Sequence, residues 1–127
     1  MNTLARRRSV VPGQEVFGKA FENWICHELR AHASYSQKHY EIRYWRLATG
    51  TEVDFVLGDL EVAIEVKATD RIRPQHLAGL EDIRSEHPGI GQRILVCMEG
   101  VPRRLANDII ILPALTFLER LWAGEIV

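Results

Sequence analysis

Thr51-Glu-Val-Asp-Phe-Val-Leu-Gly-Asp-Leu-Glu-Val-Ala-Ile-Glu-Val-Lys-Ala-Thr69 holds two alternating apolar runs separated by Gly58-Asp59. Gly-Asp between two such runs signals a two-residue hairpin turn, which predicts Leu57 opposite Leu60, Phe55 opposite Val62 and Asp54 opposite Ala63. Glu65 is then the diagonal neighbour of Asp54, and Glu52 faces Glu65 directly. Side chains alternate with period 2, so Val53, Phe55, Leu57, Leu60, Val62, Ile64 and Val66 are expected on one face, turned to a core. Asp54, Glu65 and Lys67 share the other face. In that register the two carboxylates stand within roughly 7 Å of each other, close enough for one divalent cation to bridge them, with Lys67 one pleat further along. Glu52 facing Glu65 adds like charge that a cation would relieve.

Working outward, Tyr40 to Leu47 alternates as a strand, and Ala48-Thr-Gly50 turns it into the hairpin. Upstream, Phe17, Phe21, Trp24, Ile25 and Leu29 recur at helical spacing between Gln14 and Ala33, with Lys19, Asn23, His27 and Arg30 opposite. This predicts an amphipathic helix packed on the sheet. Downstream, Pro74 starts a helix with Leu77, Leu80 and Ile83 on one stripe, ended by Pro88-Gly89. Arg93 to Met98 and Asn107 to Leu112 are short β-branched-rich runs. Pro113 opens a last helix through Thr116, Phe117, Leu118, Leu121 and Trp122, stopped by Gly124. The expected order is α-β-β-β-α-β-β-α. A helix between strands forces at least one parallel pair, so the fold class is α/β, a mixed sheet of four to five strands flanked by helices.

At 127 residues, 46% hydrophobic and 26% charged, the chain builds one substantial core and is too short for two. The expected division is a flexible basic lead or linker stump over 1–13, carrying Arg6-Arg7-Arg8 and Pro12-Gly13, and a single domain over 14–127. A net charge of −1 argues against a protein whose affinity comes from an overall basic surface. Cys26 and Cys97 are far apart and suit reduced thiols in core packing, hence a cytoplasmic protein. No apolar run approaches the roughly 20 residues that span a bilayer. His27, His32, His39 and His87 have no metal-ligand spacing with the cysteines, which argues against zinc. Oligomeric state is not legible, and there is no Gly-x4-Gly-Lys-Ser/Thr phosphate loop for ATP.

The Asp54-x10-Glu65-x-Lys67 pattern resembles the nuclease superfamily named for its PD-(D/E)-x-K motif, with Val53 where the motif has proline. A second likeness runs along nearly the whole chain, through Gly18-Lys-Ala-Phe-Glu-Asn-Trp-Ile25, Tyr44-Trp-Arg46, Thr49-Gly-Thr-Glu-Val-Asp-Phe55, Ile64-Glu-Val-Lys67 and Leu112-Pro113. It is similar to the C-terminal domain, of unassigned role, in a large prokaryotic family of AAA+-type ATPases, itself similar to the nuclease fold. The resemblance implies a restriction-endonuclease-like sheet in which Asp54 and Glu65 hold Mg2+ or Mn2+ and Lys67 assists the attacking water. It also implies that Glu22, on the first helix, serves as an auxiliary ligand.

Metal-assisted phosphodiester hydrolysis needs clustered oxygen ligands, a polarised water and positive charge at the phosphate, which Asp54, Glu65 and Lys67 supply in kind. The main-chain carbonyl of Val66 offers a third ligand. The chain has 13 arginines and 3 lysines, so a lysine two residues after Glu65 is against its own habit. Lysine lowers its pKa on desolvation, which arginine does not. Beyond it, Arg71, Arg73, Gln75 and His76 fall near the same edge as candidate phosphate contacts. The bland alternatives are ordinary charges on an exposed hairpin face, a solvated Glu22 and a packing Trp45. Two functions follow as expectations: a metal-dependent nuclease domain acting on DNA, or a non-catalytic module of the same fold that docks on an ATPase portion, upstream or in trans.

Overall fold

The structure is a computed structural model that describes residues 12–127, with side chains from Glu15 onward. The expected basic lead over 1–13 lies outside the described residues except for Pro12 and Gly13. Those two open helix α1 (Pro12–Tyr35), which starts before the expected Gln14. Three strands follow, β1 (Ile42–Arg46), β2 (Glu52–Leu57) and β3 (Val62–Val66). A 3-10 turn over Pro74–Leu77 leads into α2 (Ala78–Glu86). Then come β4 (Gln92–Cys97), β5 (Arg103–Arg104), β6 (Ile110–Pro113) and α3 (Ala114–Trp122). Gly124, at φ 79°, closes α3 as its turn residue.

The sheet is mixed, ordered β1-β2-β3-β4-β6-β5, with β3-β4 and β4-β6 parallel and the other pairs antiparallel. It has six strands, where the sequence predicts four to five. The extra one is β5, two exposed arginines paired against β6, too short and too polar to announce itself. Helices α1 and α3 cover one face, where Phe21, Ile25, Leu29, Phe55, Leu57, Ile64, Ile94 and Phe117 form a core. The other face packs Val53, Val56, Ala63, Leu80, Ile83, Leu95 and Ile111 under α2. Among the described residues no helix is long and apolar enough to cross a membrane.

The central hairpin corrects the predicted register. Leu57 pairs with Val62, Val56 with Ala63 and Phe55 with Ile64, so the turn holds four residues rather than two. Gly58 and Leu60 take φ of 63° and 59° within it. Its far end is fixed by the next crossover, where the N–H groups of Gly91 and Gln92 donate to the carbonyls of Leu60 and Glu61 at 3.0 and 3.1 Å. A Cβ at Gly91 would lie 2.1 Å from the Glu61 oxygen, so only glycine permits this approach. Turn composition shows a turn between Leu57 and Val62 but not which residues it spares, because that is settled by β4. The slip is two residues, so side chains keep their faces, while Asp54 moves from diagonal to directly in line with Glu65.

A second correction concerns the faces. From Arg43 to Trp45 strand β1 advances two residues, whereas β2 runs three, from Val56 to Val53. Asp54 and Phe55 therefore both stand against Tyr44 in a β-bulge, a device that re-aims one side chain. Strict alternation ends there. Val53 packs in the α2-side core and Phe55 in the α1-side core. Nor is the polar face of the hairpin solvent-exposed, since α2 covers its Val56 and Ala63. That close cover depends on Gly79, where a Cβ would meet the Glu52 carbonyl oxygen at 2.3 Å. Gly79→Ala is accordingly expected to lower stability by about 1–3 kcal/mol in urea unfolding and to push α2 off the sheet.

Candidate active site

Between β2 and β3 the backbone ladder ends at Phe55 and Ile64, and beyond that point two carboxylates replace it. The Asp54 N–H donates to Glu65 Oε1 at 3.1 Å, and the Val66 N–H donates to Asp54 Oδ2 at 2.8 Å. Each acid thus holds the other's strand. Lys67 Nζ lies 3.3 Å from Glu65 Oε2. Glu65 is buried, Asp54 and Lys67 are half-buried. The bulge and the splaying of the strands bring this about, and the sequence conveys only which residues take part.

Two acids this close, out of water, cannot both be comfortably ionised. Burial pushes the Glu65 carboxyl up to about 7, with the Asp54 charge adding to the rise and Lys67 opposing it. Burial also raises Asp54, against which the Val66 N–H works, while the charges of Glu22 and Glu52 raise it further and Lys67 lowers it. A proton or a cation relieves the pair. The donor set is all oxygen, which suits Mg2+ or Mn2+ and their habit of keeping several waters. Asp54 and Glu65 would hold the ion and Lys67 would stay outside its first ring of ligands. Among the described residues no three His, Cys, Asp or Glu side chains are gathered to hold an ion in this conformation. Glu22 is half-buried on α1, 4.0 Å from Lys19, yet its charge is felt at Asp54. Glu52 does not face Glu65 as expected. It turns to β1 and pairs with Arg46 Nη2 at 2.8 Å, a consequence of the longer hairpin turn.

Glu65 and Lys67 form one wall of a cleft of about 300 Å³ whose other wall carries Gln75, His76 and Gly79 from the 3-10 turn and α2. Of the candidate phosphate contacts, Gln75 and His76 reach this cleft. Arg71 and Arg73 are exposed, and Arg73 lines a separate hollow with Ile72 and Leu77. The loop between β3 and the 3-10 turn is clamped by Glu99. Its carboxylate accepts from the Ile72 N–H at 2.9 Å and from Arg103 Nε and Nη2 at 2.9 and 3.0 Å. Sequence reasoning missed Glu99, whose spacing to Arg103 carries no meaning outside a helix. Trp45 packs beside His87 rather than in the cleft. Buried His32 bonds Tyr40, and Cys26 and Cys97 are free thiols.

On the α1 side, a groove of about 560 Å³ runs between α1 and the ends of β4 and β6, lined by Phe17, Phe21, Trp24, Met98, Pro113 and Leu115. Phe17 and Trp24, expected to be packed on the sheet, are 46% and 38% exposed. Helical spacing gives the stripe its direction but not its cover.

What fold and site define together is a mixed α/β domain with a pair of acids, one buried and one half-buried, and a lysine at the carboxyl end of a central strand. The chain belongs to a family described as a domain of unknown function (DUF4143), whose model matches residues 17–117. No curated protein and no solved structure matches it.

Proposed function

We propose that the domain is a metal-dependent nuclease of the restriction-endonuclease-like, PD-(D/E)-x-K type, hydrolysing phosphodiester bonds in DNA. The observation that carries this reading is the exchange of main-chain hydrogen bonds through Asp54 and Glu65. It fixes a buried and a half-buried carboxylate on splayed strands with a lysine on one of them, an arrangement that costs stability without an ion. Bound there, Mg2+ or Mn2+ would lower the pKa of a water and offset charge on the phosphoryl group. Asp54 and Glu65 orient the ligand oxygens, and Lys67 faces the attacking water and the negative charge that accumulates on phosphorus. The water gives up a proton to solvent as its oxygen forms the new bond to phosphorus, the opposite P–O bond breaks, and the leaving oxygen takes up a proton from solvent. Glu22, whose charge is felt at Asp54, would act on an ion from α1 through a water.

The test is incubation of the domain with supercoiled, linear, single-stranded and branched DNA in Mg2+ or Mn2+, beside Asp54→Ala. Cleavage by the wild type alone is the expected result. Cleavage that survives the substitution, or none at all, would sink the proposal. A related expectation concerns protons. Metal binding must displace the proton from Glu65, so Mn2+ affinity should rise about tenfold per pH unit below about 7 and level off above it. Calorimetric titration in two buffers of different ionisation enthalpy would register the released proton, and pH-independent binding would contradict the assignment of Glu65.

The apolar groove favours a second reading, in which the same fold docks on the ATPase portion of an AAA+-type protein without cleaving anything. Exposed aromatic side chains in a concave patch are what a helix of a partner would bury. Loss of association with such an ATPase on Trp24→Ala, with no cleavage by the wild type, is the outcome that would favour it.

A further inference from the structure

His76 stands on the wall of the cleft opposite Glu65 and Lys67, and its ring is held by the main chain. Its Nδ1 accepts from the Arg73 N–H at 2.9 Å, and the His76 N–H donates to the Arg73 carbonyl at 2.9 Å. Pro74 between them fixes the backbone of the turn. A nitrogen that accepts has no proton, so the neutral ring carries its hydrogen on Nε2. Among the described residues Nε2–H has no partner. Gly79 keeps this turn close, because any larger residue there would drive α2 and the histidine away from β2.

We propose that the Nε2–H of His76 is a substrate-binding donor that hydrogen-bonds a non-bridging oxygen of the scissile phosphate, opposite Lys67. The inference rests on the nuclease reading and adds a residue to it. A phosphate in the cleft would meet Glu65 and Lys67 on the β3 side, and needs a donor on the α2 side to fix its rotation. Gln75 and His76 are the side chains of the 3-10 turn that line that side. A neutral donor suits the position, since it points at the oxygen without repelling the metal. Burial holds the imidazole below its ordinary pKa, and the charges of Lys67 and Arg73 hold it lower still.

Asparagine and glutamine separate the two ring nitrogens. His76→Asn offers an oxygen near the Nδ1 position, keeping the acceptor for Arg73, but has nothing at Nε2. His76→Gln places an amide N–H near Nε2. Steady-state cleavage of short oligonucleotides by the full chain in Mn2+ is compared for wild type and both variants, with melting temperature and Mn2+ affinity measured on each. The expected pattern is an approximately 100-fold fall in kcat for His76→Asn, at unchanged melting temperature and Mn2+ affinity, with partial recovery in His76→Gln. Wild-type kcat in His76→Asn overturns the role of the histidine and leaves the nuclease reading standing. So does an equal loss in both variants that follows a fall in melting temperature, which makes His76 only the cap of its turn. Absence of cleavage and of Mn2+ binding in the wild type overturns both.

Discussion

Glu65→Gln is expected to melt at a higher temperature than the wild type at pH 8 in the presence of EDTA, and to lose metal-dependent cleavage by more than about 1,000-fold. The two effects have one cause. Glu65 is buried against Asp54, and burial raises its carboxyl from an ordinary 4.5 to about 7. A raised folded-state value means that the stability linked to this proton is complete below about 4.5 and is lost as pH rises through about 7. Above that, the ionised group costs the fold on the order of 3 kcal/mol, a figure that already includes the relief from Lys67. Glutamine removes the charge and keeps an oxygen to accept from the Asp54 N–H, which the structure places 3.1 Å from Glu65 Oε1. A stability gain of about 1–3 kcal/mol, or several degrees in melting temperature, follows at pH 8. At pH 4, where the wild-type carboxyl is protonated in the folded and unfolded chain alike, the two proteins should melt together. A gain of equal size at both pH values would show that the charge of Glu65 is not its cause. Excess Mn2+ should raise the wild-type melting temperature at pH 8 and leave Glu65→Gln unmoved.

How far the sequence foretells this site depends on the kind of interaction that sets each part. Asp54, Glu65 and Lys67 stand out because their types and spacing are chemical statements, independent of register. The strands themselves are legible, since Val62 to Val66 and Gln92 to Cys97 are apolar enough to be buried wherever they pair. The register was not, because the four-residue turn is held by Gly91 and Gln92, thirty residues downstream of it. The bulge was not either, since it exists only in the pairing of β2 with β1. Cover over the polar face came from Gly79, whose lack of a side chain is informative only once its neighbour Glu52 is known. The cleft therefore belongs to tertiary structure, though all the residues lining it are local to three short stretches.

Lys67→Ala should abolish most cleavage, by about 100- to 1,000-fold, while the domain still folds. Its ammonium lies 3.3 Å from Glu65 and is partly exposed, so removing it costs little packing, although the buried Glu65 carboxylate loses a hydrogen bond. Electrostatically the loss is larger. Lys67 is among the groups that hold the Glu65 carboxyl down and is one that holds Asp54 down. Without it both acids keep their protons to higher pH, and the pH above which Mn2+ binding levels off should move up from about 7. Lys67→Arg separates charge from geometry, because a guanidinium restores the positive charge but presents it as a broad planar fork in place of a compact ammonium. Arginine should therefore return the pH dependence of metal binding to that of the wild type and leave the rate low. A rate restored by arginine would reduce Lys67 to a fixed charge on the phosphate, and an alanine variant as fast as the wild type would remove it from the reaction altogether.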